Sequence, residues 1–150
     1  MADLIRTDSS DTDFQELVKS LDAELRIRDG EDNAFYAQFN KIDALKHALV
    51  AYVNNKPVGC GAFKPFSDSS VEIKRMFVDP DYREQGIAQQ VLTELEKWAA
   101  ELGNKNCVLE TGQKQPEAIK LYLKSEYVRI PNYGQYANVE NSVCMQKLLS

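Results

Sequence analysis

The chain has 150 residues, 43% of them hydrophobic and 27% charged, and a formal net charge of −5. That is one domain's worth of ordinary globular sequence, residues 1–150, able to bury roughly two-thirds of the surface its unfolded form exposes. The acidic balance argues against nucleic acid, whose binding depends on Lys and Arg displacing counterions, and suits a cationic partner better.

No apolar run approaches the roughly 18 residues of a membrane span, so no membrane partner is expected. The first residues, Met1 to Arg6, lack the basic start and apolar stretch of a signal peptide, and the cytoplasm is the expected compartment. Cys60, Cys107 and Cys144 form no close pair and sit in apolar stretches, which reads as small core hydrophobes in a reducing environment. With His47 the single histidine, a metal site is not expected.

In chain order, Leu4 to Thr7 suggests a short strand. Thr12 looks like a helix N-cap with Gln15 as its capping-box partner, and Phe14, Leu17, Val18, Leu21 and Leu25 follow at helical spacing up to Asp29-Gly30. A second short helix is expected to carry Phe35, Tyr36 and Phe39. His47 to Tyr52 and Val58 to Phe63 read as a hairpin about Asn54-Asn55-Lys56. Gly59 and Gly61 leave one face of its second strand bare. Pro65 and Ser67 to Ser70 make the next turn, and Val71 to Val78 is a strand closed by Asp79-Pro80.

Ile87, Val91, Leu92, Leu95, Trp98, Ala99 and Leu102 trace one face of a long helix, with Gly103 as its left-handed stop. Cys107 to Thr111 is a buried strand. Pro116 opens another helix, whose apolar face is Ala118, Ile119, Tyr122 and Leu123. Tyr127 to Ile130 and Ser142 to Leu148 close the chain as strands. The order is strand, two helices, three strands, helix, strand, helix, two strands. It predicts an α/β (α+β) domain with one mixed sheet.

The strongest chemical signal is Arg83-Glu84-Gln85-Gly86-Ile87-Ala88, between a strand and a helix. The first amides of a helix have no partner within it and carry partial positive charge, which suits a diphosphate. Gly86 and Ala88 let an anion come close. Neither the dinucleotide spacing G-x-G-x-x-G nor a P-loop is present.

In its context the hexapeptide resembles the Q/R-x-x-G-x-G/A motif of the GCN5-related N-acetyltransferase (GNAT) superfamily. The lead-in from Glu72 to Tyr82 resembles that family too, as does Ala118-Ile119-Lys120-Leu121-Tyr122-Leu123-Lys124 followed by Tyr127. The likeness runs from about residue 45 to the C-terminus. It implies acetyl-CoA as donor, held by the backbone of Arg83 to Ala88, with the pantetheine arm along Met76, Phe77 and Val78. It implies that the strand of Cys107 to Thr111 splays away to admit the thioester. Gln115 stands where the family has a donor-contacting Asn. Glu84 is expected to face solvent. Glu126 replaces a family Gly, so the preceding helix is expected to end without a left-handed turn.

The implied reaction is acetyl transfer to a primary amine, expected to be a small molecule. Protein acetylation and a non-catalytic acetyl-CoA-binding module are the rival readings. An alkylammonium has a pKa of about 10.4 and an ordinary glutamate about 4.3, so direct proton transfer would be uphill by about 8 kcal/mol. A carboxylate there must have a raised pKa, work through water or attract the ammonium. The resemblance puts Glu72 in that position, with Glu110 as the alternative. It puts Tyr122 beside the donor sulfur as the acid, and the oxyanion on a backbone N–H near Phe77. Tyr133, Tyr136 and Asn138 are candidates to border the acceptor, as an aromatic wall suits a cation. Arg75 either binds an acceptor carboxylate or forms a structural ion pair, and His47 reads as structural. Asp29, Glu31 and Asp32 either attract a cation or belong to a solvated loop. A homodimer is one arrangement the family allows.

Overall fold

The computed structural model describes residues 2–30 and 45–149; the side chain of Asp29 lies outside the described set, as do the proposed second helix with Phe35, Tyr36 and Phe39 and the acidic residues Glu31 and Asp32. Seven strands among the described residues form one sheet: β1 (Asp3–Thr7), β2 (His47–Val53), β3 (Lys56–Ser67), β4 (Ser70–Val78), β5 (Asn106–Gly112), β6 (Val128–Ile130) and β7 (Ser142–Leu148). Among the described residues three α-helices pack on it: α1 (Thr12–Asp29), α2 (Ile87–Glu101) and α3 (Pro116–Lys124). The spatial order is β1-β2-β3-β4-β5-β7-β6, with β4 and β5 parallel and every other pair antiparallel. This is the mixed α/β sheet the element order implied.

Apolar alternation divides the sheet between two cores. Leu49, Val58, Phe63, Val71 and Ile73 point towards α2 and meet its buried stripe of Ile87, Val91, Leu92, Leu95 and Ala99. Ala48, Val50, Cys60, Ala62 and Phe77 point the other way, onto Phe14, Leu17, Val18 and Leu21 of α1. The three cysteines are buried thiols, and burial pushes the Cys60 thiol up to about 12, as expected for a core residue rather than a nucleophile.

Local chemistry departs from the expected boundaries in a few places. Helix α1 is capped by Asp11, whose side chain accepts from Phe14 N, rather than by Thr12. Gln15 donates to the Ser9 carbonyl at 2.9 Å instead of closing a capping box. Strand β3 runs on through Pro65, which pairs with Val71. The ladder to β2 ends at Phe63, so the imino nitrogen of Pro65 has only one neighbouring strand to disturb. Tyr127 precedes β6 and turns inward, its hydroxyl donating to Glu96 Oε2 at 3.0 Å. Lys147 holds the other Glu96 oxygen at 2.9 Å. After α3 the chain does take a left-handed turn, at Glu126 with φ 76°, contrary to the expectation that a non-glycine would avoid it. Its amide still bonds the Leu123 carbonyl, and Tyr127 N bonds Tyr122 O, so the closing turn is secured by hydrogen bonds.

The feature that positions the site is an irregularity in β4. Arg75 has φ 60°, and the β3–β4 register shifts between Cys60 and Ala62. Gly61 lies opposite this bulge. A Cβ on Gly61 would stand 2.6 Å from Met76 Sδ, 2.8 Å from Leu95 Cδ1 and 2.9 Å from Val91 Cγ1. The bare face of β3 is therefore filled by α2 and by Met76 of the bulged strand.

Candidate active site

Strands β4 and β5 pair only over Ser70–Glu72 and Asn106–Val108. Beyond Glu72 they separate, and Ile73 to Val78 lie along an edge that β5 does not cover. A cleft of about 670 Å³ runs beside this edge, lined by Met76, Phe77 and Val78, by Arg83, Glu84, Gly86, Ile87 and Ala88, and by Gln115 and Tyr122. Gln85 is exposed outside the lining. Glu84 is exposed, as expected, and takes a left-handed φ of 65°.

At the far end of the cleft α2 begins on Gly86, in the left-handed region at φ 81° and with no side-chain cap. The first helical bond runs from Gln90 N to Gly86 O at 3.1 Å. The amides of Ile87, Ala88 and Gln89 therefore stand ahead of the ladder. Nothing lies within 4 Å of where a Gly86 Cβ would be. The Arg83 guanidinium ties the loop down: Nε donates to Val78 O at 2.8 Å and Nη2 pairs with Glu24 on α1 at 2.9 Å. Arg28 at the end of α1 reaches Glu117 on α3, across the same cleft. An open strand edge for an extended arm and a bare helix N-terminus for a diphosphate suit coenzyme A.

A second, smaller cavity of about 100 Å³ meets the cleft at Leu21, Met76, Gln115, Ala118 and Tyr122, and its wall adds Glu72, Lys74, Arg75 and Glu110. Tyr122 lines both spaces, is 6% exposed, and rests edge-on against Tyr127. Burial, with Glu110 adding to it, pushes its phenol well above the ordinary tyrosine range, so it stays protonated at neutral pH. Glu72 is 3% exposed; its Oε2 accepts from the Tyr133 hydroxyl at 2.7 Å and its Oε1 lies 3.7 Å from Lys64 Nζ. Burial and the Glu72 charge raise the Tyr133 phenol strongly, which keeps it a donor to that carboxylate.

Tyr133 thus stands behind Glu72 and outside the cavity lining, and Tyr136 is 1% exposed in a cluster with Cys144, Ile130 and Val139. Neither is among the described residues lining the small cavity, and Asn138 is exposed outside that lining. Arg75 is a structural ion pair: its Nη2 meets Asp22 of α1 at 2.7 Å. His47 stacks on Phe63 at 4.8 Å and meets Trp98 edge-on, away from the site. Sequence reasoning missed Lys74 as a wall residue, and it missed Tyr133 as the partner of Glu72.

A profile of the Acetyltransferase (GNAT) family matches residues 13–127. An "IAA acetyltransferase" of Azospirillum brasilense is 35% identical over 102 residues, 67% of each chain. A candidate acyl-CoA N-acyltransferase from Klebsiella pneumoniae superposes with a TM-score of 0.84 at 27% identity, covering 100% of this chain and 99% of that one. A GNAT acetyltransferase of Elizabethkingia anophelis, solved with acetyl-CoA bound, gives 0.61 at 21% identity over 69% and 76% of the two chains. The chain belongs to the GNAT acetyltransferase family. It is an acyl-CoA-dependent transferase.

Proposed function

We propose that the protein transfers the acetyl group of acetyl-CoA to the primary amine of a small molecule. The observation that carries this reading is the meeting of the long cleft and the small carboxylate-lined cavity at Tyr122. A thioester entering along β4 brings its carbonyl to that junction, within reach of a nucleophile held from the other side. The small cavity's size, about 100 Å³ among the described residues, favours a compact acceptor over a peptide lying in a groove.

Each residue has a task its surroundings suit. The amides of Ile87 to Gln89 neutralise the diphosphate. The exposed edge of β4 orients the arm and offers an N–H near Phe77 to the developing oxyanion. Glu72, held by Tyr133, draws in the ammonium and relays its proton through water. Glu110 adds negative potential from the facing strand. Tyr122 donates a hydrogen bond that strengthens as negative charge gathers on the departing sulfur. A thiol at about 8.5 is more acidic than a phenol at about 10, so a strengthened bond is a sounder role than complete proton transfer.

The test combines calorimetric titration with coenzyme A and acetyl-CoA-dependent thiol release against polyamines, amino acids, aminoglycosides and lysine peptides. IAA, from the name of the Azospirillum relative, belongs in the panel. Saturable donor binding with turnover of a small amine is expected; binding without turnover of any acceptor would leave a non-catalytic module. A Glu72→Gln enzyme matching the wild-type rate at every pH would remove Glu72 as the base.

A further inference from the structure

We propose that the acceptor carries a carboxylate as well as its amine, so that it is an amino acid in chemical class, and that Lys74 holds that carboxylate. This narrows the amine reading above and rests on it. Among the described residues two cations, Lys74 and Arg75, line the small cavity. Arg75 is engaged by Asp22, whereas Lys74 makes no hydrogen bond or ion pair with any described residue. It is nevertheless half-buried, and desolvation lowers its pKa against the opposing pull of Glu72. An ammonium so placed gains from an anionic guest, because the guest supplies what removal from water took away.

The placement fits a guest with both charges. Glu72 and Lys74 are two residues apart on one strand, so they share a face with Cα atoms about 7 Å apart. Continuing the Glu72–Val108 register by two residues sets Lys74 opposite Glu110 across the opening seam. The cavity therefore offers carboxylates for an ammonium and, a few ångströms on, a cation for a carboxylate. That span suits an amino acid rather than a polyamine, which would set one of its ammonium groups against Lys74.

The alternative is that Lys74 only offsets the charge of Glu72 and Glu110. Matched acceptors separate the two: glycine and methylamine, L-leucine and isopentylamine, 4-aminobutanoate and propylamine, each assayed with acetyl-CoA. The carboxylated member of at least one pair is expected to show kcat/KM about tenfold higher. In Lys74→Met that ratio falls towards one, through a raised KM for the carboxylated acceptor, and Lys74→Arg restores part of it. Thermal melts of both variants check that the fold is intact, and Lys74→Gln replaces the methionine variant should that one unfold. Equal rates within every pair would overturn the proposal. So would a Lys74→Met loss confined to kcat and shared by both members, since that assigns Lys74 to charge balance or chemistry. Turnover of plain amines alone would sink this inference and leave the amine reading standing, whereas no turnover of any amine would sink both.

Discussion

The two ends of β4 are built from one unbroken strand and do opposite work. From Ser70 to Glu72 it is sealed between β3 and β5, with ladders on both sides. From Ile73 to Val78 it keeps β3 but loses β5, and its free edge faces the long cleft. The sealed end is held by strand pairing, whereas the open end is held from behind, by Gly61, Met76 and the stripe of α2. Rigidity at the open end therefore comes from the β3 ladder and from side-chain packing against α2, and the other backbone edge is left for a ligand.

That contrast can be broken most directly from behind. Gly61→Val places atoms where Met76, Leu95 and Val91 already stand within 3 Å of a Cβ. Overpacking of this kind costs about 3 kcal/mol, and a fall in melting temperature of about 6–12 °C is expected by calorimetry. Tyr122→Phe acts on the open side alone. It should lower kcat by about a hundredfold with little change in melting temperature, as loss of a hydrogen bond that strengthens in the transition state does. Steady-state rates beside thermal melts separate the two effects.

Gly86→Val sharpens the comparison at the cleft's far end. The substitution forces a branched side chain to φ 81° and projects it into the space before the helix amides. Coenzyme A affinity is expected to fall about tenfold, near 1.4 kcal/mol, in a titration. The smallest effect lies far from the seam, at His47. Burial, and then Lys46, hold its pKa below the ordinary 6.5. The unfolded chain therefore takes up a proton that the folded one resists, and stability present above about pH 6.5 is lost as the pH falls. His47→Phe should shallow the acid limb of melting temperature by about a degree or two, with acetyl transfer at neutral pH unaltered.

Much of this was legible beforehand. The periodic stripe of α2, Gly86 at its start, Gly103 at its end and Pro116 opening α3 are local signals, and each marks a real boundary. Adjacent residues able to cap, Asp11 and Thr12, made the start of α1 uncertain by one residue. The left-handed Arg75 had no signal of its own, since nothing local asks arginine for positive φ; the two glycines of the neighbouring strand were the nearest hint. The Glu72–Tyr133 bond joins residues 61 positions apart, and the Arg83–Glu24 pair spans 59. Such pairings depend on tertiary placement. The aromatic character of the last loop was visible, but not that Tyr136 serves a core and Tyr133 a carboxylate.

The departure at Arg75 reaches further than its own residue. The strand that carries it stops pairing with its parallel neighbour at Glu72; had that pairing run on, the edge beyond would have stayed covered. Every amide on that side would then have found a mate inside the protein, and the molecule would be an inert slab of sheet between helices. Instead the zipper ends at Glu72, and the main-chain groups left over are places that a visiting chain of atoms can fill.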